Sequence, residues 1–264
     1  YKSSDAYLSE LEVYNVLEMA GINVCQRYEL PVVCSQESRV KWAEQAIKLA
    51  KSNGKLVLKV IGRTILHKSD AGGVKILSYD EIEGFDDILS IADEMIEIDS
   101  AIEGILAAEF IPHKSNIPGQ ELLLSFKQDP AFGPVIVIGV GGLLTEWYGK
   151  ATQNLSRLIM PAENFNSDYF RKIIDKHPLF SIFHTKSRVH STAPIDIEVI
   201  VEIVEKLAAL ASIFSASSDN DFVIEEIEIN PIVLSGGVAV AIDGVGRISN
   251  KKQITQNKPV HKIN

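Results

Sequence analysis

Apolar residues recur at helical spacing in four stretches of the chain. Ser9-Glu10-Leu11-Glu12 reads as a capping box opening the first, with Leu17 and Ala20 continuing it and Gly21 placed to end it in a left-handed conformation. Ser38 precedes Val40, Ala43, Ile47 and Ala50 at the same spacing, and Gly54 closes that helix. Ile82, Phe85, Ile88, Leu89, Ala92 and Met95 form a third amphipathic stripe. The longest helix runs from Asp196 to about Ser217, with Ile200, Val204, Leu207, Ala208 and Ala211 on one face. Between these lie short runs rich in branched residues. Leu56 to Ile61 reads as a strand with Val74 to Leu77 as its partner, and Ile105 to Ile111, Glu121 to Phe126 and Pro134 to Val140 as three more. The last regular element expected is a hairpin, Val223 to Ile229 and Val238 to Ile242, turning at Gly236-Gly237, where both positions need positive φ. Helices and strands in this mixed order predict an α+β fold with mainly antiparallel sheets.

Composition narrows the partners. With 264 residues, 46% of them hydrophobic, the chain can bury a large core as one domain or two joined subdomains. A net charge of −9 and the lack of a Lys/Arg block argue against nucleic acid. No apolar run reaches the roughly 20 residues of a membrane helix, and no signal-like segment opens the chain, so a cytoplasmic protein off the membrane is expected. Cys25 and Cys34 have no metal-site or redox spacing and read as incidental thiols. Because the sequence opens on Tyr1 rather than Met, it is expected to be part of a longer or processed chain.

The hairpin carries the first candidate chemistry. Counting outward from Gly236-Gly237 sets Asn230 opposite Asp243, on the face that also holds Glu226 and Glu228. Opposed residues have Cβ atoms about 5 Å apart, close enough for two oxygen ligands on one Mg²⁺. A solvated polar face gives the same pattern. Lys59, in a strand, precedes a loop containing Gly72 and Gly73, whose missing Cβ lets backbone N–H groups approach a phosphate beside the lysine charge. An exposed strand lysine followed by a turn would look alike. His67, next to Lys68, is a candidate nucleophile toward a phosphoryl group, though a loop histidine is commonly just solvated. Glu109 and Glu121 bracket the proline-containing connector Pro112 to Pro118, and such acids could hold a ribose or guard an adenine, though isolated acids are more commonly surface residues. Neither Gly139-Val140-Gly141-Gly142 nor Gly149-Lys150 completes a dinucleotide or P-loop fingerprint, and the Gly141-Gly142 pair by itself reads as a tight turn. His177, His184 and His190 lack helical metal-ligand spacing and read as structural.

Taken together, Val57-Leu58-Lys59-Val60, the loop Ile65 to Val74, Asp129-Pro130-Ala131-Phe132-Gly133-Pro134-Val135, Gly139 to Gly142 and Glu228-Ile229-Asn230-Pro231 resemble the β subunit, or fused β-like domain, of ADP-forming acetyl-CoA and acyl-CoA synthetases, relatives of succinyl-CoA synthetase. The likeness runs from about Leu8 to Ile248. It implies an ATP-grasp fold in which two α+β subdomains, 8–105 and 106–250, enclose ATP or ADP, followed by a loose polar tail, 251–264. It further implies Lys59 at the phosphates, the Phe110-Ile111 backbone after Glu109 at the adenine, Glu121 at the ribose, and Asn230 and Asp243, with Glu228 nearby, as the Mg²⁺ ligands. His67, with Lys68 beside it, matches the histidine that carries phosphate between nucleotide and acyl phosphate. The pattern departs from the family after the glycine pair, where Lys150 to Leu158 keeps an Arg but no equivalent Asp, and in Ile182 to Pro194, which has no Arg-Gly match.

The expected activity is therefore that of an acid–thiol ligase part, acyl-CoA + ADP + Pi ⇌ carboxylate + CoA + ATP. A CoA-binding α-type subunit or fused domain would be its partner, because no CoA-binding Rossmann unit is present. The alternative is a degenerate, nucleotide-sensing ATP-grasp module of a CoA-binding acyltransferase fusion. An ATP-dependent carboxylate–amine ligase ranks third, because of the His67-Lys68 loop.

Overall fold

The structure is a computed structural model that describes residues 6–65, 68, 72–113, 115, 119–142, 145–151, 157–178, 180 and 196–251. Along the chain run β1 (Ala6–Leu8), α1 (Glu10–Met19), β2 (Arg27–Pro31), α2 (Gln36–Asn53), β3 (Lys55–Ile61), β4 (Val74–Ser78), α3 (Phe85–Ile96), β5 (Gly104–Glu109), β6 (Glu121–Asp129), β7 (Gly133–Val140), α4 (Thr145–Ala151), β8 (Arg157–Pro161), α5 (Ser167–Lys176), α6 (Ile197–Ile213), β9 (Phe222–Ser235), β10 (Val238–Ala241) and β11 (Gly244–Asn250). They form two compact units. One takes Ser9–Leu11 and Val24–Pro112, the other Tyr1–Leu8, Glu12–Asn23 and His113–Asn264. A boundary between residues 105 and 106 would cut through β5. The whole strand stays with the smaller unit, because its partners β2 and β3 lie there.

The smaller unit is an antiparallel sheet, β2-β5-β3-β4, packed with α2 and α3. Leu56, Leu58 and Val60 of β3 meet Trp42, Ala46, Leu49, Ile88 and Met95 in a continuous core. A fully buried side chain of this kind contributes roughly 1.5–3 kcal/mol. Trp42 secures its one polar atom by donating to the Tyr28 carbonyl at 2.9 Å. Helix α2 begins one turn earlier than the apolar spacing suggests: Ser35, not Ser38, is the cap, and its hydroxyl accepts from the Ser38 N–H. Gly54 ends the helix with φ 71°, as the left-handed cap requires.

The larger unit holds a seven-stranded sheet ordered β1-β11-β9-β6-β7-β8, with β10 also paired to β9. Every ladder is antiparallel. Leu122, Leu124 and Phe126 of β6 stand opposite Val140, Ile138 and Ile136 of β7, and α6 packs on β6 and β7 with Ile200, Val204, Leu207 and Ala211 buried. The opposite face carries Ser125, Lys127, Glu226, Glu228 and Arg247 in register. The hairpin is not the last element, because β11 follows it and pairs with both β9 and β1. Elements β1, β2, β8, α4 and α5 are likewise additional to those expected, and Phe110-Ile111 lie beyond the end of β5 rather than in it. Neither Cys25 nor Cys34 forms a disulfide.

Candidate functional site

In the smaller unit, strand β3 and the loop that follows it bring two lysines together. Lys59 faces Val74 across the β3–β4 ladder and Leu106 across β3–β5, so its side chain stems from the middle of the sheet. Its Nζ donates to Glu10 Oε1 at 3.0 Å. Lys68 Nζ donates to the other oxygen, Oε2, of the same carboxylate. The lysine side chains are only 9% and 8% exposed and that of Glu10 is 0% exposed, so all three charges sit out of water. A buried ammonium without a counter-charge costs several kcal/mol; Glu10 supplies that counter-charge to both. The capping-box reading gives Glu10 no role of its own, and its partners lie 49 and 58 positions away, beyond the reach of local patterns.

The two glycines of the loop differ. Gly73 donates its N–H to the Lys68 carbonyl at 2.7 Å and accepts from Val60 N–H at 2.9 Å, and a Cβ there would lie 2.6 Å from Val60 Cγ2. Its N–H is therefore engaged in closing the loop onto β3 and is not offered to a phosphate. Gly72 has φ +75°, which favours glycine, and open space around its missing Cβ. His67 lies outside the described residues, as do Leu66 and residues 69–71. Glu109 closes β5, where its Oε2 accepts from the Gln26 N–H at 3.2 Å, and Phe110 carries the Lys55 ammonium 5.0 Å above its ring. Ile111 follows, half-buried.

The larger unit collects the acids. The register counted from Gly236-Gly237 extends through Ala241–Ile232, and Asn230 N–H donates to the Asp243 carbonyl at 3.3 Å. The two residues are thus opposed between β9 and the β10–β11 junction. Asn230 also hydrogen-bonds Glu228. Asn230 Oδ1 accepts the Gly142 N–H at 2.8 Å, and a Cβ on Gly142, which has φ +63°, would collide with the Glu121 carboxylate. The Gly141-Gly142 pair therefore does more than turn the chain: it lets β7 end against Glu121 and Asn230 at once. His113 Nε2 lies 3.0 Å from Glu121 Oε1, while Glu121 Oε2 is buried with no hydrogen-bond partner. Spacing gave no signal for His113.

Acids crowd one another here, although Arg157 lies near Glu228 and Arg247 pairs with Glu226 at 3.7 Å. Burial first, and then the neighbouring Glu226 and Asp243 carboxylates, push the Glu228 carboxyl above its ordinary range, against the opposing pull of Arg157 and the Asn230 hydrogen bond. An acid destabilised in its charged form by other acids is what a hard divalent cation would relieve. The donor set suits one, with two carboxylates and an amide oxygen. Among the described residues no three His, Cys, Asp or Glu converge as a metal cage. Mg²⁺ does not need one, since it keeps water and phosphate oxygens as ligands. The residues fit Mg²⁺ with a nucleotide. The orphaned Glu121 oxygen likewise suits a hydroxyl donor such as a ribose. The remaining residues singled out in the sequence fall elsewhere. His177 packs on Phe180 at 5.3 Å with its pKa lowered by burial, and His184, His190 and residues 252–264 lie outside the described residues.

Comparison with known proteins agrees with this architecture. Over 245 residues, 92% of each chain, the sequence is 27% identical to the beta subunit of acetate–CoA ligase [ADP-forming] I from Pyrococcus furiosus. It is 30% identical over 223 residues to 4-hydroxybutyrate–CoA ligase [ADP-forming] from Nitrosopumilus maritimus, covering 83% of the chain but only 28% of that ligase. Its fold matches the dinucleotide-forming acetyl-coenzyme A synthetase 1 of Ca. Korarchaeum cryptofilum with a TM-score of 0.67 at 22% identity, over 91% of this chain and 93% of that one. Another structure of that synthetase holds Mg-AMPPCP, with a phosphohistidine segment pointing towards the nucleotide binding site (TM-score 0.63, 22% identity, 91% and 92% covered). The ATP-grasp domain model matches residues 1–248, and with two antiparallel-sheet units behind that match the chain belongs to the ATP-grasp family, similar to the beta subunits of ADP-forming acetyl-CoA synthetases.

Proposed function

We propose that this chain is the nucleotide-binding part of an ADP-forming acyl-CoA synthetase and moves phosphate between ADP/ATP and an acyl phosphate through His67. The observation that carries the reading is the convergence of Lys59 of β3 and Lys68, the residue after His67 in sequence, on the Glu10 carboxylate out of water. Two ammonium groups there suit a transferring phosphoryl group, whose charge must be offset as the bond to it breaks. Lys59 and Lys68 hold the phosphates. Glu121 accepts from a ribose hydroxyl through Oε2, and the backbone at Phe110-Ile111 borders the adenine. Asn230, Asp243 and Glu228 hold Mg²⁺, which when bound lowers the negative charge of the phosphates. His67 attacks phosphorus as the neutral imidazole, ADP leaves, and the reverse step regenerates ATP.

A CoA-binding α-type subunit or fused domain supplies and receives the acyl group. The match to a beta subunit over 92% of each chain supports that division of labour. The test is label transfer from γ-labelled ATP in the presence of that partner. Label should appear on this chain and be lost in His67→Ala. Equal labelling of His67→Ala would end the role given to His67, and no thermal stabilisation by Mg-ADP or Mg-ATP would end the nucleotide-binding reading itself.

A further inference from the structure

Glu10 is the first residue of α1, where a helix N-terminus favours a negative charge, and its side chain is wholly buried. Nothing in the proposed chemistry uses it. Yet each of its oxygens takes a different ammonium group, Oε1 from Lys59 and Oε2 from Lys68. Two like charges at that separation repel, and out of water the repulsion is poorly screened. One carboxylate between them, bonded to both, offsets that repulsion. A carboxylate is also a flat two-oxygen anion, close in shape to one edge of a phosphoryl group. Cations set on its two oxygens are therefore set at a spacing suited to two oxygens of a phosphate.

We propose that Glu10 is a positioning residue for phosphate binding: it fixes Lys59 and Lys68 as a preset cation pair and keeps that pair in place before the nucleotide arrives. The inference rests on the proposed function, which makes the two lysines phosphate ligands. An ammonium has three donors, so a bond to Glu10 does not prevent a bond to phosphate. Displacement of Glu10 by phosphate is disfavoured, because a carboxylate without solvent access would give up both ammonium groups.

The test uses Glu10→Gln, which keeps the size but turns one oxygen into an N–H donor that cannot face an ammonium, with Glu10→Asp as the charge-preserving control. Mg-ADP should bind the Gln variant about ten- to a hundredfold more weakly, the value of one lost charge-assisted contact. Adenosine, measured by competition, should bind it as it binds the wild type, and Asp should restore part of the ADP affinity. Unchanged or tighter ADP binding would overturn the proposal, as would equal weakening of ADP and adenosine, which marks a merely structural role. Should Gln fail to fold, Asp decides: ADP affinity below wild type supports the proposal, and wild-type affinity overturns it. Amine acylation of Lys59 and Lys68, read by peptide mass spectrometry without nucleotide, separates the two readings. If wild type binds no ADP, the proposed function falls. In that case faster acylation of either lysine in the Gln variant still supports the hold by Glu10, and unchanged acylation refutes it.

Discussion

The two charged clusters of this protein are balanced in opposite ways. In the smaller unit Lys59 and Lys68 are buried and already share a counter-ion, Glu10. In the larger unit Glu228, Glu226 and Asp243 crowd together, the Glu228 carboxyl is pushed upward by burial and then by its acidic neighbours, and Glu121 keeps an oxygen without a hydrogen-bond partner. A cluster that is internally compensated holds its shape before any ligand arrives. One that is left with like charges and an orphaned acceptor gains most when a cation or donor arrives. On the proposed function, the lysine pair is preset and the acid cluster would be completed by what it binds.

The sharpest way to break that contrast is to remove both lysines. Lys59→Met with Lys68→Met takes both ammonium groups from the buried Glu10 carboxylate and should cost about 3–5 kcal/mol in urea unfolding. Lys68→Met by itself, which leaves Lys59 on Glu10, should cost far less. If the single and double variants lose the same stability, Glu10 is not the shared counter-ion. Next in size is Gly142→Ala. Its left-handed φ and the collision of the new Cβ with the Glu121 carboxylate should cost about 2–3 kcal/mol and weaken Mg-ADP binding. Unchanged affinity would detach Glu121 and Asn230 from the nucleotide.

How much of this was legible in the sequence follows from how local each signal is. Helices α2, α3 and α6 bury whole stripes of apolar residues, so their spacing shows them. The Asn230–Asp243 opposition follows from counting along one hairpin, and the structure keeps that register. Strands β2 and β8 each bury a single side chain, Leu30 or Met160, and end in proline. β11 contains two glycines and is a strand because β9 and β1 pair with it on either side. Helix α5 buries only Phe170 and Ile174, yet Phe170, Ile173 and Ile174 stand at helical spacing, so its signal is short rather than absent. At the sites the same rule holds. Glu10 and His113 gain meaning only when tertiary packing brings Lys59, Lys68 and Glu121 to them. Conversely, Gly73 matches an anion-loop pattern although its N–H closes the loop.

A smaller effect tests the acid cluster. Since the folded Glu228 carboxyl titrates above the unfolded value, the native state binds the extra proton between the two, and stability should fall as pH rises through that window. Asp243→Asn removes one of the charges that raise it, so the fall should shrink, and Mg²⁺ in millimolar excess should shrink it in the wild type but not in Asp243→Asn. Urea unfolding across pH, with and without Mg²⁺, reads all three. A fall that Mg²⁺ leaves untouched in the wild type would mean that the cluster is a polar face and not a cation site.

The smallest effect is expected at Lys55, which serves as a control on the lysine pair. Lys55 lies in the same strand as Lys59, but its residue is exposed and its ammonium rests over the Phe110 ring at 5.0 Å. An exposed cation–π contact is worth about 0.5–1 kcal/mol, so Lys55→Met should lower stability by no more than that. Charge alone cannot distinguish the two lysines, since each loses one ammonium on substitution to Met. Burial can: Lys59 shares a counter-ion out of water, whereas Lys55 keeps its hydration. If Lys55→Met proves as costly as Lys59→Met, dehydration is not what makes the Glu10 cluster rigid, and the contrast between a preset and a completed site loses its physical basis.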